Sequence, residues 1–126
     1  MDRASPGKRY PVFGCPVEFS LSILGGKWKP VILARLKQQP MRYSDLRRAL
    51  PRLSDKMLTQ RLQDLETDGL VTVEPSEGGT VRFYRLTQRG ESLRAVLQAL
   101  YDWGADQALQ MDVRVRSMPP GKEPDD

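Results

Sequence analysis

A mainly α-helical fold with one small β-hairpin is what this sequence predicts, and three observations predict it. Apolar residues recur at helical spacing in five separate stretches. Two of these stretches, each opened by a serine, lie either side of a short turn at Pro51. Near the middle, two β-like runs flank the loop "SEGG". The chain has 126 residues, which suits one compact domain.

Residues 1–14 are polar and carry Pro6, Gly7, Pro11 and Gly14, so a flexible N-terminal arm is expected there. In "CPVEFSLSILGG", Pro16 suits a first helical turn, Val17, Leu21 and Leu24 keep helical spacing, and Gly25-Gly26 ends the helix. In "KWKPVILARLKQQP", Trp28, Ile32 and Leu36 stand four apart, Pro30 fits the first turn and Pro40 closes the segment. Met41 to Tyr43 predicts a short extended piece, after which Ser44 is expected to cap a third helix with Asp45 in its first turn. Leu46 and Leu50 line that helix, and Pro51 stops it. After a turn of about three residues, Ser54 caps a fourth helix. Gly69 suits the left-handed position that ends it. "LVTVEP" and "TVRFYRL" form the hairpin. Thr87 is expected to cap a long last helix lined by Leu93, Val96, Leu97, Leu100 and Trp103. The domain therefore spans 15–111, and the polar, Pro-rich tail 112–126 is expected to be disordered.

Composition excludes several functions. With one cysteine, Cys15, and no histidine, there is no disulfide framework within the chain, no Cys/His zinc site and no His-based catalytic set. No acid sits in a Gly-rich or apolar setting that would tune it for acid–base work. An enzyme is not expected, nor a metal or cofactor. No run approaches the roughly 20 apolar residues of a membrane span. The N-terminus lacks the apolar region of a signal peptide, so a cytoplasmic protein with no membrane partner is expected.

Charge is concentrated. The net formal charge is +4. Between Arg42 and Arg61, six bases (Arg42, Arg47, Arg48, Arg52, Lys56, Arg61) face two acids (Asp45, Asp55), so this stretch equals the net charge of the whole chain. That is the footprint of a phosphate-binding face. On the fourth helix, Leu58, Leu62 and Leu65 form one stripe, while Lys56, Gln60 and Gln63 lie roughly 140–200° away from Leu58. Met57 and Thr59 flank them. Gln bonds bidentately to adenine, Lys donates to guanine or phosphate, and Thr meets a thymine methyl, so these five side chains suit a major groove. The bland alternative for the same face is a solvated surface. The paired caps, the basic cluster and the basic hairpin together favour double-stranded DNA. Ser44, Arg47, Arg48, Arg52, Ser54 and Arg61 are then candidates for the DNA backbone. Arg82 and Arg85 are candidates for phosphate or minor groove contacts from a hairpin wing.

"CPVEFSLSILGGKWKPVIL", "RYSDLRRALPRLSDKMLTQRLQDLETDGLV" and "YRLTQRGESL" resemble the HxlR-type helix-turn-helix transcriptional regulators, a MarR-like winged-helix family of bacteria. The resemblance runs from about Cys15 to Gly104. It implies a winged helix-turn-helix with N- and C-terminal dimerisation helices, acting as a homodimeric repressor or activator on a palindromic operator. It makes the fourth helix the recognition helix and residues 71–86 the wing. One departure stands out: Arg82 and Phe83 occupy positions where the family usually has Val-Glu, so the resemblance leaves open which wing arginine faces DNA.

The resemblance also implies a redox or electrophile sensor at Cys15, since a cysteine in the "CPVE" segment is tied to sensing in several family members. A thiol just before a helix N-terminus reacts more readily. The alternative is a small side chain packing the first helix. Arg9 or Lys27 would assist the thiol if near. Helices two to four already fill a domain this small, so the stripe of Leu93, Val96, Leu97, Leu100 and Trp103, with Val17 and Leu21, predicts a dimer interface. A symmetric dimer of this kind sets two recognition helices roughly 34 Å apart. No constellation for a small-molecule effector stands out. The competing function is a winged-helix protein-interaction module without specific DNA binding.

Overall fold

A computed structural model describes residues 12–116. The arm residues 1–11, including Arg9, and the tail residues 117–126 lie outside the described residues. The elements run α1 (Pro16–Leu24), α2 (Trp28–Gln38), α3 (Tyr43–Ala49), α4 (Asp55–Thr67), β1 (Val71–Pro75), β2 (Arg82–Leu86), α5 (Gln88–Glu91) and α6 (Arg94–Gln110).

The leucine stripes meet in one core. Ile32, Leu33 and Leu36 of α2 pack with Leu46 of α3 and with Leu58, Leu62 and Leu65 of α4. Leu50 and Leu53, in the connection between α3 and α4, are also buried. Each fully buried leucine is worth roughly 1.5–3 kcal/mol relative to exposure, so the three on α4 fix which face of that helix turns outward. The serine cap holds as expected: Ser54 Oγ accepts from the Met57 N–H at 3.1 Å. At the other end Gly69 has φ +78°, and the Leu70 N–H donates to the Leu65 carbonyl at 3.0 Å, closing the helix. The turn before α4 is longer than expected, running over 50–54.

β1 and β2 pair antiparallel, Val71 opposite Leu86 and Pro75 opposite Arg82. Met41 adds a single bridge to Tyr84, with N–H to carbonyl distances of 3.0 and 2.8 Å. The expected extended piece is therefore real at Met41. It ends sooner than expected, because Tyr43 already belongs to α3.

Two caps differ from expectation. Ser44 is not the cap of α3; Arg42 holds that position, and the carboxylate of Asp45 accepts from the Arg42 N–H at 3.0 Å. An acid at the third helical residue satisfies the free N–H from inside the helix, so no serine is required. Thr87 does not cap the long helix either. It caps the single turn α5, where its Oγ1 accepts from the Gly90 N–H at 3.0 Å and donates to the Gly69 carbonyl at 2.6 Å. α6 starts afresh at Arg94. The break follows from docking: the Thr87 N–H also donates to the Leu70 carbonyl at 3.0 Å, which pins this turn to the base of the hairpin.

The terminal helices carry the exposed apolar surface. On α1, Leu24 is buried and Ile23 packs on the core, but Val17 is 65% and Leu21 60% exposed. On α6, Leu100 is 52% and Trp103 68% exposed, with Val96 also outside. Leu97 is the exception to the expected interface set: it is buried in this chain's own core, where Leu93 packs against it, because both turn towards the body. An apolar groove of about 580 Å³ lies between α2 and α6, lined by Val31, Ala34, Leu100, Ala105, Val113 and Val115 among others.

Candidate nucleic-acid interface

α4 presents the five side chains expected to read bases on its outer side. Lys56, Met57, Thr59, Gln60 and Gln63 are all exposed, while Leu58, Leu62 and Leu65 are fully buried beneath them. Gln60 Nε2 donates to Asp64 Oδ1 at 3.1 Å, one turn along the helix. Its carbonyl oxygen and second N–H stay available for a base edge. The Thr59 hydroxyl lies 3.4 Å from the Tyr43 hydroxyl. Among the described residues, Lys56 and Gln63 make no side-chain hydrogen bond.

The basic residues divide into two sets, which the sequence alone did not separate. Several are neutralised locally. Arg48 pairs with Asp45 at 2.7 Å, as Arg42 does at 2.9 Å. Arg61 pairs with Asp64 at 2.5 Å, Arg85 with Glu74 at 3.0 Å and Arg47 with Asp55 at 2.8 Å. Arg52, Lys56 and Arg82 form no ion pair among the described residues, and all three are exposed. These three keep their full charge for a polyanion. Exposed pairs are weak in water, so the exposed Arg48 and Arg85 can exchange a carboxylate for a phosphate at small cost, whereas Arg61 and Asp64 are both half-buried. Ser44 is exposed at the second position of α3, and Ser54 is committed to its cap.

The hairpin separates the two wing arginines by face. Side chains alternate along a strand, so Arg82 shares a face with Tyr84 and Leu86, and Arg85 shares one with Phe83. Arg82 and Arg85 are both exposed but point to opposite sides of the hairpin.

Tyr43 and Asp55 were not singled out by sequence reasoning. The Tyr43 hydroxyl donates to Asp55 Oδ1 at 2.7 Å, and Arg47 reaches the same carboxylate. The spacing of Tyr43 and Arg47, four apart on one short helix, was the available signal.

The Arg42 guanidinium and N–H bond to Asp45 and pull its carboxyl down to about 2. A carboxylate held below its unfolded value, ~3.9, contributes stability above that pH and loses it as pH falls towards the folded value. Wild type should therefore melt above Asp45→Asn between pH 5 and 7, and the gap should close as the pH is lowered to about 2. Thermal melts of both proteins across that range check it; a gap that persists at the acid end contradicts the assignment.

Cys15 is exposed and stands immediately before α1, its carbonyl accepting from the Phe19 N–H at 3.2 Å. Within this single chain its thiol is exposed rather than buried. Lys27 lies over the Trp28 ring, 4.7 Å from its centroid. No helix is long and apolar enough to cross a membrane among the described residues.

Comparison with known proteins agrees with this geometry. A family model described as HxlR-like helix-turn-helix matches residues 23–112, a stretch that contains every element from α2 to α6 and begins after Cys15. The HTH-type transcriptional regulator YkvN of Bacillus subtilis is 39% identical over 99 residues, covering 78% of this chain and 84% of its own. Among solved structures, the redox regulator HypR in its reduced form superposes with a TM-score of 0.71 at 31% identity, covering 79% of this chain and 100% of that one. The reduced transcriptional regulator YodB of B. subtilis superposes with a TM-score of 0.63 at 35% identity, covering 75% of this chain and 94% of that one.

Proposed function

This chain belongs to the HxlR-like helix-turn-helix family, and from that premise we propose that it is a transcription regulator that reads duplex DNA with α4, as a homodimer on a palindromic operator. One observation carries the reading: α4 buries its three leucines completely and leaves Lys56, Thr59, Gln60 and Gln63 exposed together, beside the unpaired Arg52. Hydrogen-bonding side chains on a helix of this width suit a major groove. The hairpin follows directly on α4 and carries Arg82 at its outer end, which suits a wing resting on phosphate or in the adjacent minor groove.

A protein-interaction module predicts affinity for DNA that is absent, or equal for all sequences. Titration of DNA binding against salt separates the two. Specific binding is expected to fall steeply with salt. Arg52→Ala is expected to weaken cognate and random duplexes alike and to lower the slope by about 0.9, the loss of one phosphate contact. A slope unchanged in Arg52→Ala would remove that residue from the backbone set.

The exposed apolar residues Val17 and Leu21 of α1 and Val96, Leu100 and Trp103 of α6 support a symmetric dimer through the terminal helices. A nine-residue helix is marginal on its own in water, and α1 docks on this chain's core only through Ile23 and Leu24, so a partner surface over Val17 and Leu21 would steady it further. The groove between α2 and α6 is continuous with the exposed Leu100. Cys15 then lies beside that interface. Its exposure, and the likeness to HypR, described as a redox regulator, support Cys15 as the point where an oxidant or electrophile acts. Treatment with a thiol oxidant is expected to release operator DNA from the wild type and leave Cys15→Ser bound. Equal release from both would end the sensor role.

A further inference from the structure

The contacts between α3 and the start of α4 point to a role for Arg47 that differs from the one its charge suggests. Arg47 Nε donates to Asp55 Oδ1 at 2.8 Å, and its Nη1 donates to the Leu53 carbonyl at 2.6 Å. The guanidinium thus spans from the connecting turn to the first residue of α4, either side of the Ser54 cap. Tyr43, one helical turn earlier on α3, donates its hydroxyl to the same Asp55 oxygen at 2.7 Å and lies 3.4 Å from the Asp55 carbonyl and from Thr59 Oγ1. Two side chains of α3 therefore grip the first turn of α4 from one side. Leu53 and Leu58 are buried on the other.

We infer that Tyr43 and Arg47 are positioning residues that set, through Asp55 and Leu53, the angle at which α4 presents Lys56, Thr59 and Gln60, and that Arg47 is not a phosphate ligand. The inference rests on the DNA-reading role of α4 proposed above. Two physical arguments carry it. The planar fork of Arg47 already has donors committed in two directions, one to a charge and one to a carbonyl. Its Nη2 keeps free donors, but turning the fork to grip a phosphate in a bidentate way costs the Nε and Nη1 bonds, whereas Arg52 forms no ion pair among the described residues and offers its charge without that loss. Side chains on a helix N-terminal turn also meet base edges at a geometry fixed by the tilt of that turn, and bidentate base contacts tolerate little displacement.

The rival is that Asp55 merely masks a phosphate-binding Arg47. The two accounts predict opposite outcomes for one substitution. Asp55→Asn removes the acceptor charge and leaves the arginine in place. If Arg47 positions α4, the ratio of cognate to random-duplex affinity falls about tenfold, comparable with one good base contact, and the salt slope is unchanged. If Arg47 is a masked ligand, Asp55→Asn tightens both duplexes and steepens the slope by about 0.9. Arg47→Lys keeps the charge but cannot bridge both acceptors, so it is expected to lose the same ratio at an unchanged slope. Tyr43→Phe loses only a hydroxyl and is expected to fall in the same direction by less. Each variant is compared at a temperature where it and the wild type are fully folded, on the full chain, with the duplex selected by the wild type and a random duplex. A wild type that shows no preference between the two duplexes overturns the DNA-reading role itself. A preference retained in Asp55→Asn and Arg47→Lys overturns the positioning role alone.

Discussion

Gly90→Ala is expected to destabilise the domain by about 3 kcal/mol and to lower its midpoint by roughly 15 °C at fixed protein concentration. The reason is a close approach of backbones. A Cβ at Gly90 overlaps the Leu70 carbonyl oxygen and stands 3.2 Å from Leu86 Cβ. Neither neighbour is a flexible side-chain end. The Leu70 carbonyl is held by the Thr87 N–H, and Leu70 itself closes α4 through Leu65. To make room, α5 has to lift from the hairpin base, and α6 follows it. The substitution is therefore expected to weaken dimer formation as well as the fold. Thermal unfolding, with sedimentation to follow the oligomer, measures both. A midpoint within a few degrees of wild type contradicts the packing described.

The second large effect is on DNA. Gln60→Ala is expected to weaken the cognate duplex about ten- to a hundredfold, the worth of one bidentate base contact of about 1–3 kcal/mol. Binding to random duplex is expected to change by less than about twofold, because no phosphate contact is lost. Stability should barely move, since Gln60 is exposed and gives up only its bond to Asp64. This pattern is the opposite of that expected for Arg52→Ala, and the pair of variants distinguishes reading from anchoring. Equal losses on both duplexes in Gln60→Ala would assign Gln60 to the backbone set.

Much of the fold was legible because its signals are local. The leucine spacing of α4, the Ser54 cap and the left-handed Gly69 each act within one or two turns, and each stands where the sequence points. The caps of α3 and α6 were misread for a physical reason. Ser44 and Asp45 both suit an N-terminal turn, and the choice between them depends on the Arg42 backbone, which enters through the Met41 bridge to Tyr84, some forty residues away. Thr87 does cap a helix, but α5 ends after one turn because docking on Leu70 fixes it, a long-range contact that periodicity does not register. The roles of Thr87 and Gly90 in "YRLTQRGESL" are thereby explained: the threonine caps and tethers, and the glycine makes room for a carbonyl.

The candidate interface was legible in part. Outward placement of Lys56, Gln60 and Gln63 follows from the burial of Leu58, Leu62 and Leu65, so periodicity sufficed. Counting charge did not suffice. Asp45 and Asp64 stand three residues from Arg48 and Arg61 and neutralise them locally, and Asp55 engages Arg47 across the turn. The net charge of the segment therefore overstates what is free to meet phosphate. Leu97, counted with the interface stripe, turns inward, because a stripe over three helical turns is wider than one face.

Selection of bound duplexes from a random library, run side by side on the wild type and Gln60→Ala, tests the central claim most directly. If the outer face of α4 reads bases as part of a symmetric dimer, the wild type enriches a palindrome with half-sites about one helical turn apart, and Gln60→Ala relaxes the preference at one position in each half-site. Recovery of the same motif at the same strength by both proteins, or of no motif by the wild type, would contradict it.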